Sequence, residues 1–562
     1  MKNILIGWCL LILAEYSLAG NPTSVSVTDP VYAFLDRMET AGIIGNLVDG
    51  VKPMDRERIA YYLQQINQQR DQITGIDAAL LDNYLLDYRY ELNHQKKYAA
   101  MESDKNWYTP LASWQQLKKD FHRFFQWTQP EEENHVVLWE DSTNSLYFDF
   151  TEQMVYESLL DSVSRFRQSE TYQFRGTILE NFGYSLSIYM ARISGDNTFI
   201  NADPELKNTW RNDRGDKIYF DRSSGEIAYR SPFIDLHFAH QPVSWGLGAS
   251  GKLILSDYPE QYPYFSLGKY WKWGGFVFLH GKLLAEDTIR TDQGQSIYPD
   301  KWVTINRFEF SPIPRMAIGL TDMIIYGNRS VEWAYMLPVH YFRAVEHNLR
   351  DRDNALLAID AEIRIYRGVK LYGTFLIDEL RKDKLFTNWY GNKHGMQFGL
   401  HLVDPFRINN LDFRFEYTAI MPWVYTHIYD INRFSNDGRP LGNWAGPNSE
   451  VIYLNINKWW HYRLLTGLTA QIWKHGANYP DKNIGGDFMA GHNTLLGSQS
   501  EPVETRDFLE GILETEKRLH WYAQYELLND FYLNFSLGII RYTYSRSVTE
   551  STELHFGLKF DY

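Results

Sequence analysis

One feature constrains this chain above all others, an alternation of apolar and polar residues that runs from about Ser145 to the end. Similar runs begin near Leu146, Tyr184, Met396 and Leu411. In the last run the apolar face carries Leu554, Phe556, Leu558, Phe560 and Tyr562. A period of two predicts β-strands with one apolar and one polar face. Polar loops separate the runs, so residues 145–562 are predicted to be all-β.

Two architectures fit alternating strands, a soluble sandwich and a membrane barrel. The barrel is favoured because aromatic residues make up 16% of the chain and because the last strand ends on an aromatic residue. A transmembrane strand needs about 9–11 residues. One strand and loop per roughly 23 residues allows about 18 antiparallel strands. We therefore predict an all-β membrane barrel in the outer membrane of a Gram-negative cell.

The N-terminus resembles a secretory signal peptide over residues 1–19. Lys2 precedes a short apolar core at residues 4–13, and residues 17–19 (SLA) form a small-x-small cleavage site. The only cysteine, Cys9, lies inside this segment. We therefore expect a mature chain without disulfides, thiolate metal ligands or cysteine nucleophiles.

Residues 20–130 are predicted to form a small helical accessory unit in the periplasm. Asp29 is a predicted N-cap with Pro30 at the first helical position, and two further runs with helical period lie near Asp55 and from near Thr74. Residues 111–125 fit either a fourth helix or an early strand, and the three glutamates at 131–133 suggest a linker.

Charge and hydropathy exclude other classes of protein. The formal net charge is −14, so nucleic acid is not an expected partner. No run of 18 or more apolar residues exists, which excludes a helical membrane protein.

The region 145–562 resembles the capsule assembly Wzi family of outer-membrane proteins. The resemblance rests on residues 245–256 (WGLGASGKLILS), 338–346 (PVHYFRAVE), 353–357 (DNALL) and 371–379 (LYGTFLIDE), with shorter matches at 440–442 and 446–449. It implies an 18-stranded barrel that acts as a non-catalytic lectin for capsular or exopolysaccharide. Outer-membrane lipid and a polysaccharide export complex are further expected partners. A porin-like channel for small solutes or oligosaccharides is the alternative.

The helical region faintly resembles an S-layer homology unit, in residues 42–45 (GIIG) and in Arg56 and Glu57. That resemblance implies contact with peptidoglycan. The family's Thr-Arg-x-Glu is replaced here by residues 55–58 (DRER). A helical plug or periplasmic cap is the alternative interpretation.

Sugar recognition needs aromatic rings for C–H faces and planar polar groups for hydroxyls. The predicted polysaccharide contacts are Arg343, Glu346, Arg350, Arg352, Asp353, Trp271 and Trp273. The arginines would supply the local positive charge that an acidic protein needs to bind an anionic polymer. The tryptophans also fit an interfacial aromatic girdle.

No catalytic residue, cofactor or metal is expected. Gly246, Gly251 and Lys252 have phosphate-loop spacing, but Leu253 stands where magnesium binding needs Ser or Thr. The group of His340, Glu346, His347, Asp351 and Asp353 lacks the His-Glu-x-x-His spacing of zinc proteases. If this group held a metal, calcium would be expected before zinc, because carboxylate oxygens dominate its possible ligands. There is no Gly-x-Ser-x-Gly motif of a serine hydrolase. A barrel hydrolase whose catalytic Ser and His are distant in sequence is the alternative to a non-catalytic protein.

Overall fold

A computed structural model describes residues 21–45, 47–97, 107–109, 135–141, 143–160, 163–206, 209–286, 288–290, 294, 296–385, 387–490 and 505–562. The predicted signal peptide, the segment 111–125 and the linker at 131–133 lie outside these residues. Within the described part of the chain, no helix is long and apolar enough to span a membrane.

Within the ranges just given, eighteen long antiparallel strands close into a barrel, which confirms the predicted architecture. The last strand pairs with the first from Asp561–Thr151 to Glu553–Leu159. The strands are β1 (Ser145–Leu159), β2 (Val163–Ile178), β3 (Phe182–Gly195), β4 (Lys217–Arg230), β5 (Asp235–Gln241), β6 (Tyr262–Trp271), β7 (Gly274–Leu283), β8 (Lys301–Ile313), β9 (Met316–Gly327), β10 (Asn354–Tyr366), β11 (Val369–Glu379), β12 (Lys393–Val403), β13 (Leu411–Ile420), β14 (Ser449–His461), β15 (Leu464–Ala477), β16 (Ile512–Leu528), β17 (Phe531–Tyr544) and β18 (Ser547–Asp561).

Six α-helices and several short strands accompany the barrel in the described residues. The helices are α1 (Val31–Thr40), α2 (Arg56–Gln68), α3 (Gly75–Asp87), α4 (Arg89–Lys97), α5 (Asn197–Asn201) and α6 (Phe342–Asn348). The short strands are Val51–Lys52, Trp107–Thr109, Val137–Glu140, Asn212–Arg214, Ser244–Trp245, Ile289–Arg290, Ser296–Ile297, Ser435–Asn436 and Arg439–Pro440.

The helices begin near the predicted positions. The Asp55 carboxylate accepts the Arg58 amide at 2.9 Å, and the Thr74 hydroxyl accepts the Asp77 amide at 3.1 Å. Asp29 accepts the Val31 amide at 2.9 Å, although α1 begins at Val31, one residue after the predicted Pro30. These side chains satisfy amides that the first helical turn leaves unpaired.

The two faces of the strands have opposite polarity over most of the barrel. On β12, Phe398 is 58% exposed on the outer face, whereas Gln397 and His401 are buried in the lumen. On the neighbouring strand Glu416 faces the lumen and is fully buried. An apolar exterior around a polar lumen is the arrangement of an outer-membrane barrel.

The two ends of the barrel differ in the length of their connections. One end has turns such as residues 179–181, 314–315 and 367–368, and the other has loops such as 242–261, 328–353 and 421–448. Outer-membrane barrels place short turns in the periplasm and long loops outside the cell. We therefore assign the long-loop end to the cell exterior.

Residues 21–97, called the plug below, pack at the short-turn end and enter the lumen. The Gly368 amide in a short turn donates to the Thr40 carbonyl at 2.8 Å. The Thr23–Ser24 region reaches β4, where the Ser24 amide donates to the Glu226 carboxylate at 2.7 Å. The plug thus occupies the short-turn side of the lumen.

Two long loops, residues 242–261 and 421–448, fold into the lumen from the other end and are called the inner loops. Their side chains Leu253, Ile254 and Tyr425 are fully buried. The short strand Ser244–Trp245 of one inner loop pairs with Val51–Lys52 of the plug. The fillings from the two ends therefore meet inside the barrel.

Candidate functional site

A polar cavity opens in the lumen on the wall formed by β1 to β4, in the half nearer the long loops. It has a volume of about 350 Å³ and is called the vestibule below. Its lining consists of Gln153, Val155, Glu157, Arg167, Tyr189, Glu205 and Arg222. All but Glu205 lie on barrel strands, so the sheet fixes where their backbones sit.

The vestibule arginines are held in defined positions by carboxylates. Arg167 pairs with Glu205 at 2.6 Å and also contacts Asp203. Arg222 pairs with Glu260 at 2.9 Å and donates to the Glu205 carbonyl at 2.5 Å. A planar guanidinium held in this way presents its remaining N–H groups in a fixed direction.

This combination of side chains suits a sugar more than a metal or a nucleotide. Arg167, Arg222 and Gln153 offer donors, Glu157 offers acceptors, and the Tyr189 ring offers a flat apolar face. Such planar polar groups can bind pairs of hydroxyls, while the ring packs on C–H groups. The described residues therefore form a cavity suited to one or two sugar units of a polymer.

A second cavity of about 270 Å³ lies deeper, between the plug and the inner loop 242–261. Lys252 of this loop lines it and donates to the Gly248 carbonyl at 2.7 Å. Burial, reinforced by the nearby Lys52, lowers the pKa of Lys252 to about 8. The inner loop is anchored to the barrel wall by Glu416, whose carboxylate accepts the Ala249 and Ser250 amides at 2.7 and 2.9 Å.

The floor of the lumen is an ion-pair cluster between the plug and the barrel. Lys370 of β11 contacts Asp36 and pairs with Glu39 at 2.7 Å, both on α1. Arg414 of β13 pairs with Asp36 at 2.5 Å, and Arg37 pairs with Asp412 of β13 at 2.9 Å. These contacts fasten α1 to two strands of the wall.

Comparison with known proteins identifies the family. The family model described as capsule assembly protein Wzi matches residues 163–542, more than half of the chain. The chain belongs to the Wzi family. No curated protein matches it.

A solved structure of Wzi from Escherichia coli has the same fold. It is described as an outer membrane protein involved in group 1 capsule assembly and as a carbohydrate-binding β-barrel. The match covers 96% of this chain and 99% of that one, with a TM-score of 0.56 at 13% identity. OprD from Pseudomonas aeruginosa and OccAB2 from Acinetobacter baumannii match 74% of this chain and 94% and 98% of their own, at 10% and 9% identity and TM-scores of 0.41 and 0.43.

Five of the predicted contact residues lie together in this Wzi-family barrel, on the loop 328–353. Arg343 pairs with Glu346 at 2.8 Å, and Asp353 is buried. Arg350 and Arg352 are exposed. Burial raises the pKa of Glu346 to about 7 despite the nearby Arg343. This loop packs on the outer wall of the barrel and does not line the vestibule, so a role in polysaccharide binding stays a prediction.

The two predicted tryptophans lie at the opposite end of the barrel. Trp271 ends β6, Trp273 occupies the short turn before β7, and their rings stack with centroids 5.8 Å apart. The structure therefore does not bring them together with Arg343 and its neighbours. Their position at the short-turn end fits the alternative interpretation, in which they belong to the aromatic girdle at the membrane interface.

The vestibule residues were missed because each lies in an ordinary strand without a motif. Tyr189 is recognisable only as a member of the polar face of β3, and Arg167 and Arg222 only as charges at lumen-facing positions. These residues cluster because β2, β3 and β4 are adjacent in the sheet and because residues 203–205 fold against them. A single sequence does not show either arrangement.

The other motifs are used in packing. Among the described residues, no group of three or more His, Cys, Asp or Glu side chains could hold a metal ion. Arg56 of the S-layer-like motif pairs with Glu91 at 2.7 Å and covers the Tyr88 ring at 4.2 Å. Glu57 is fully buried. Contact of these two residues with peptidoglycan stays a prediction.

Proposed function

We propose that this chain binds capsular or exopolysaccharide at the outer, long-loop end of its barrel and holds it at the cell surface without catalysis. The vestibule is the observation that carries the proposal. Its fixed arginines, its carboxylates and the Tyr189 ring face the lumen beneath the extracellular loops. Membership of the capsule assembly family and the carbohydrate binding described for the Escherichia coli protein support the same role.

The test compares an inward with an outward arginine. Arg222→Ala removes a donor from the vestibule, whereas Arg192→Ala removes a guanidinium from the outer face of β3, where it binds Gln168 at 2.7 Å. Hydrogen bonds to charged groups are worth about 1.5–3 kcal/mol, so we expect Arg222→Ala to weaken polysaccharide binding by about tenfold or more. Arg192→Ala should bind like the wild type.

The assay has two parts. Purified, refolded barrels are titrated with polysaccharide isolated from the producing cells, and a deletion strain carrying each variant is scored for cell-bound against shed polymer. Loss of gel mobility shift on boiling identifies variants that fail to fold. Equal binding and equal retention by the two folded variants would remove the vestibule from the proposal.

The predicted residues on the loop 328–353 are tested in the same assay. Arg343→Ala and the pair Arg350→Ala/Arg352→Ala should reduce retention if these side chains contact the polymer. A variant that binds isolated polymer like the wild type excludes its residue from the site.

The porin-like alternative is tested in planar bilayers. The plug and the inner loops fill much of the lumen from both ends. We therefore expect inserted wild-type barrels to show no steady conductance. A large, steady conductance would replace the polysaccharide-binding proposal with a channel for small solutes.

A further inference from the structure

The loop 328–353, called the outer loop, folds down over the lipid-facing side of the barrel. The Asn306 side-chain amide donates to the His340 carbonyl at 2.8 Å, and the Asp322 carboxylate accepts the Phe342 amide at 2.7 Å. Asn306 and Asp322 face outward, because Arg307 and Thr321 beside them face the lumen. The outer loop is therefore an extracellular loop that lies against the membrane side of the wall.

An apolar core joins the outer loop to the wall. Tyr335 and Phe342 of the loop are fully buried against Phe278, Ile324 and Tyr326, all on outward positions of β7 and β9. This packing fixes the loop in place, so its exposed side chains have a defined direction.

Several large apolar side chains of the outer loop remain exposed. Trp333 is 81% exposed and Val339 is 64% exposed, and Leu337 and Tyr341 are also more than half exposed. On the same wall, Phe308 and Leu320 are exposed two residues farther down β8 and β9 than Asn306 and Asp322. The apolar surface of the loop therefore continues the lipid-facing surface of the barrel.

The height of residues 339–342 follows from the strand geometry, whereas Trp333 lies nearer the strand ends because the Glu332 amide donates to the Tyr326 hydroxyl at 3.2 Å. Asn306 lies five residues below Lys301, where β8 begins at the long-loop end. At about 3.3 Å per residue and a tilt of about 40°, residues 339–342 lie roughly 12 Å below the strand ends. Arg350 and Arg352 immediately precede Asn354, where β10 begins, so they lie at the level of the strand ends.

The charges of the outer loop leave two cations available. Asp353 pairs with Arg329 at 2.5 Å and accepts the Tyr335 hydroxyl at 2.7 Å. Glu346 and Asp351 both contact Arg343, at 2.8 and 3.4 Å, and Glu332 lies 3.7 Å from Arg329. Within the described part of the chain, no ion pair engages the exposed Arg350 or Arg352. Apolar side chains at membrane level with free arginines above them match an anionic lipid, whose phosphates lie above its acyl chains.

We propose that the outer loop binds an anionic glycolipid of the outer leaflet, with acyl chains against Val339 and Tyr341, the Trp333 ring nearer the headgroup, and phosphate groups on Arg350 and Arg352. Such a site would fix the height of the barrel's outer rim relative to the lipid headgroups at the cell surface. This assignment gives Arg350 and Arg352 a lipid partner in place of the polymer that the sequence predicted. It does not depend on the vestibule.

The experiment uses the full-length refolded barrel in detergent and rough lipopolysaccharide as the probe, with its dephosphorylated form beside it. Bound lipid is counted by native mass spectrometry across a titration. Arg350→Ala/Arg352→Ala is compared with Arg541→Ala/Arg546→Ala, which removes two exposed arginines near the turn between β17 and β18. Each basic residue near an anionic lipid contributes about fivefold in affinity, so we expect the first pair to bind about thirtyfold more weakly.

Trp333→Gln tests the apolar part without disturbing the buried core, and we expect it to weaken binding of both lipid forms. The control pair should bind like the wild type. The wild type should lose affinity for the dephosphorylated lipid about as much as Arg350→Ala/Arg352→Ala loses for the intact one. Equal lipid binding by the two arginine pairs would overturn the proposal. The proposal would also be overturned if the wild type formed a dimer that Trp333→Gln abolishes. It would likewise be overturned if Arg350→Ala/Arg352→Ala lost polymer retention while its lipid binding stayed intact.

Discussion

Arg37 offers the sharpest test of how the plug is held. It is 4% exposed and pairs with Asp77 of α3 at 3.0 Å, with Asp404 in a short turn at 2.8 Å and with Asp412 of β13 at 2.9 Å. One guanidinium thus joins two plug helices to the barrel wall. Replacing it by methionine keeps most of the volume and removes the charge.

The free-energy cost of Arg37→Met comes mainly from Asp77, which is buried and loses its cation. Asp412 retains His401 at 3.4 Å, and Asp404 is partly exposed. Breaking a buried ion pair by removing one partner costs about 3–5 kcal/mol. Because the lost contacts hold the plug and not the hydrogen-bonded barrel, we expect the plug to open about 10²- to 10⁴-fold more often while the barrel stays folded.

Limited proteolysis of the refolded protein measures this opening, since proteinase K removes the plug only when it leaves the lumen. Arg70→Met is the matched control, because Arg70 pairs with Asp82 on the surface of the same helical unit. An exposed pair contributes about 0–1 kcal/mol, so the control should digest nearly like the wild type. Equal digestion of Arg37→Met and Arg70→Met would refute the assignment of plug stability to this cluster.

Three further predictions address the inner loop and the barrel wall. Because burial lowers the pKa of Lys252 to about 8, we expect the acylation rate of its amine to rise with a midpoint near pH 8, against about 10.4 for an unperturbed lysine. Pulse labelling and mass spectrometry across pH 6–11 measure this rate. A midpoint above pH 10 would contradict the burial of the amine. Glu416→Ala leaves two amides of the inner loop without their acceptor, so we expect flickering conductance where the wild type is silent; silent variant barrels would show that other contacts hold the loop. A Cβ at Gly467 would lie 2.2 Å from the Tyr522 ring carbon, so Gly467→Ala should slow refolding followed by gel mobility, whereas Gly75→Ala, at the exposed first residue of α3 with no atom within 4 Å, should not.

The strands were predictable wherever lipid covers one face and polar groups line the other. β18 and β12 have this environment, and both match the predicted alternation. Residues 302–310 alternate poorly, and the structure supplies the reason. Val303 and Ile305 are buried against the inner loops, while Thr304 and Asn306 face outward beneath the outer loop. With protein on both faces, β8 has no reason to keep a two-residue period.

The plug helices were predictable from their caps and apolar faces, but their position was not. Ile59, Leu63 and Ile66 are fully buried on one side of α2, as the helical period indicated. Several contacts that place the plug are charge pairs between residues more than 300 positions apart, such as Lys370 with Glu39. No periodicity in a single sequence encodes such a pair.

The upper parts of β7 to β9 reverse the usual polarity of a membrane barrel, and this reversal explains where the loops fold. Leu279, Val303 and Met323 make the lumen wall apolar there, so the apolar inner loops fold inward onto it. On the outer side Asn306 and Asp322 would face lipid if nothing covered them. Buried polar groups need partners, and the backbone of the outer loop supplies them. The same reversal therefore draws one set of loops into the lumen and another onto the membrane side, where the outer loop continues the lipid-facing surface above Phe308 and Leu320.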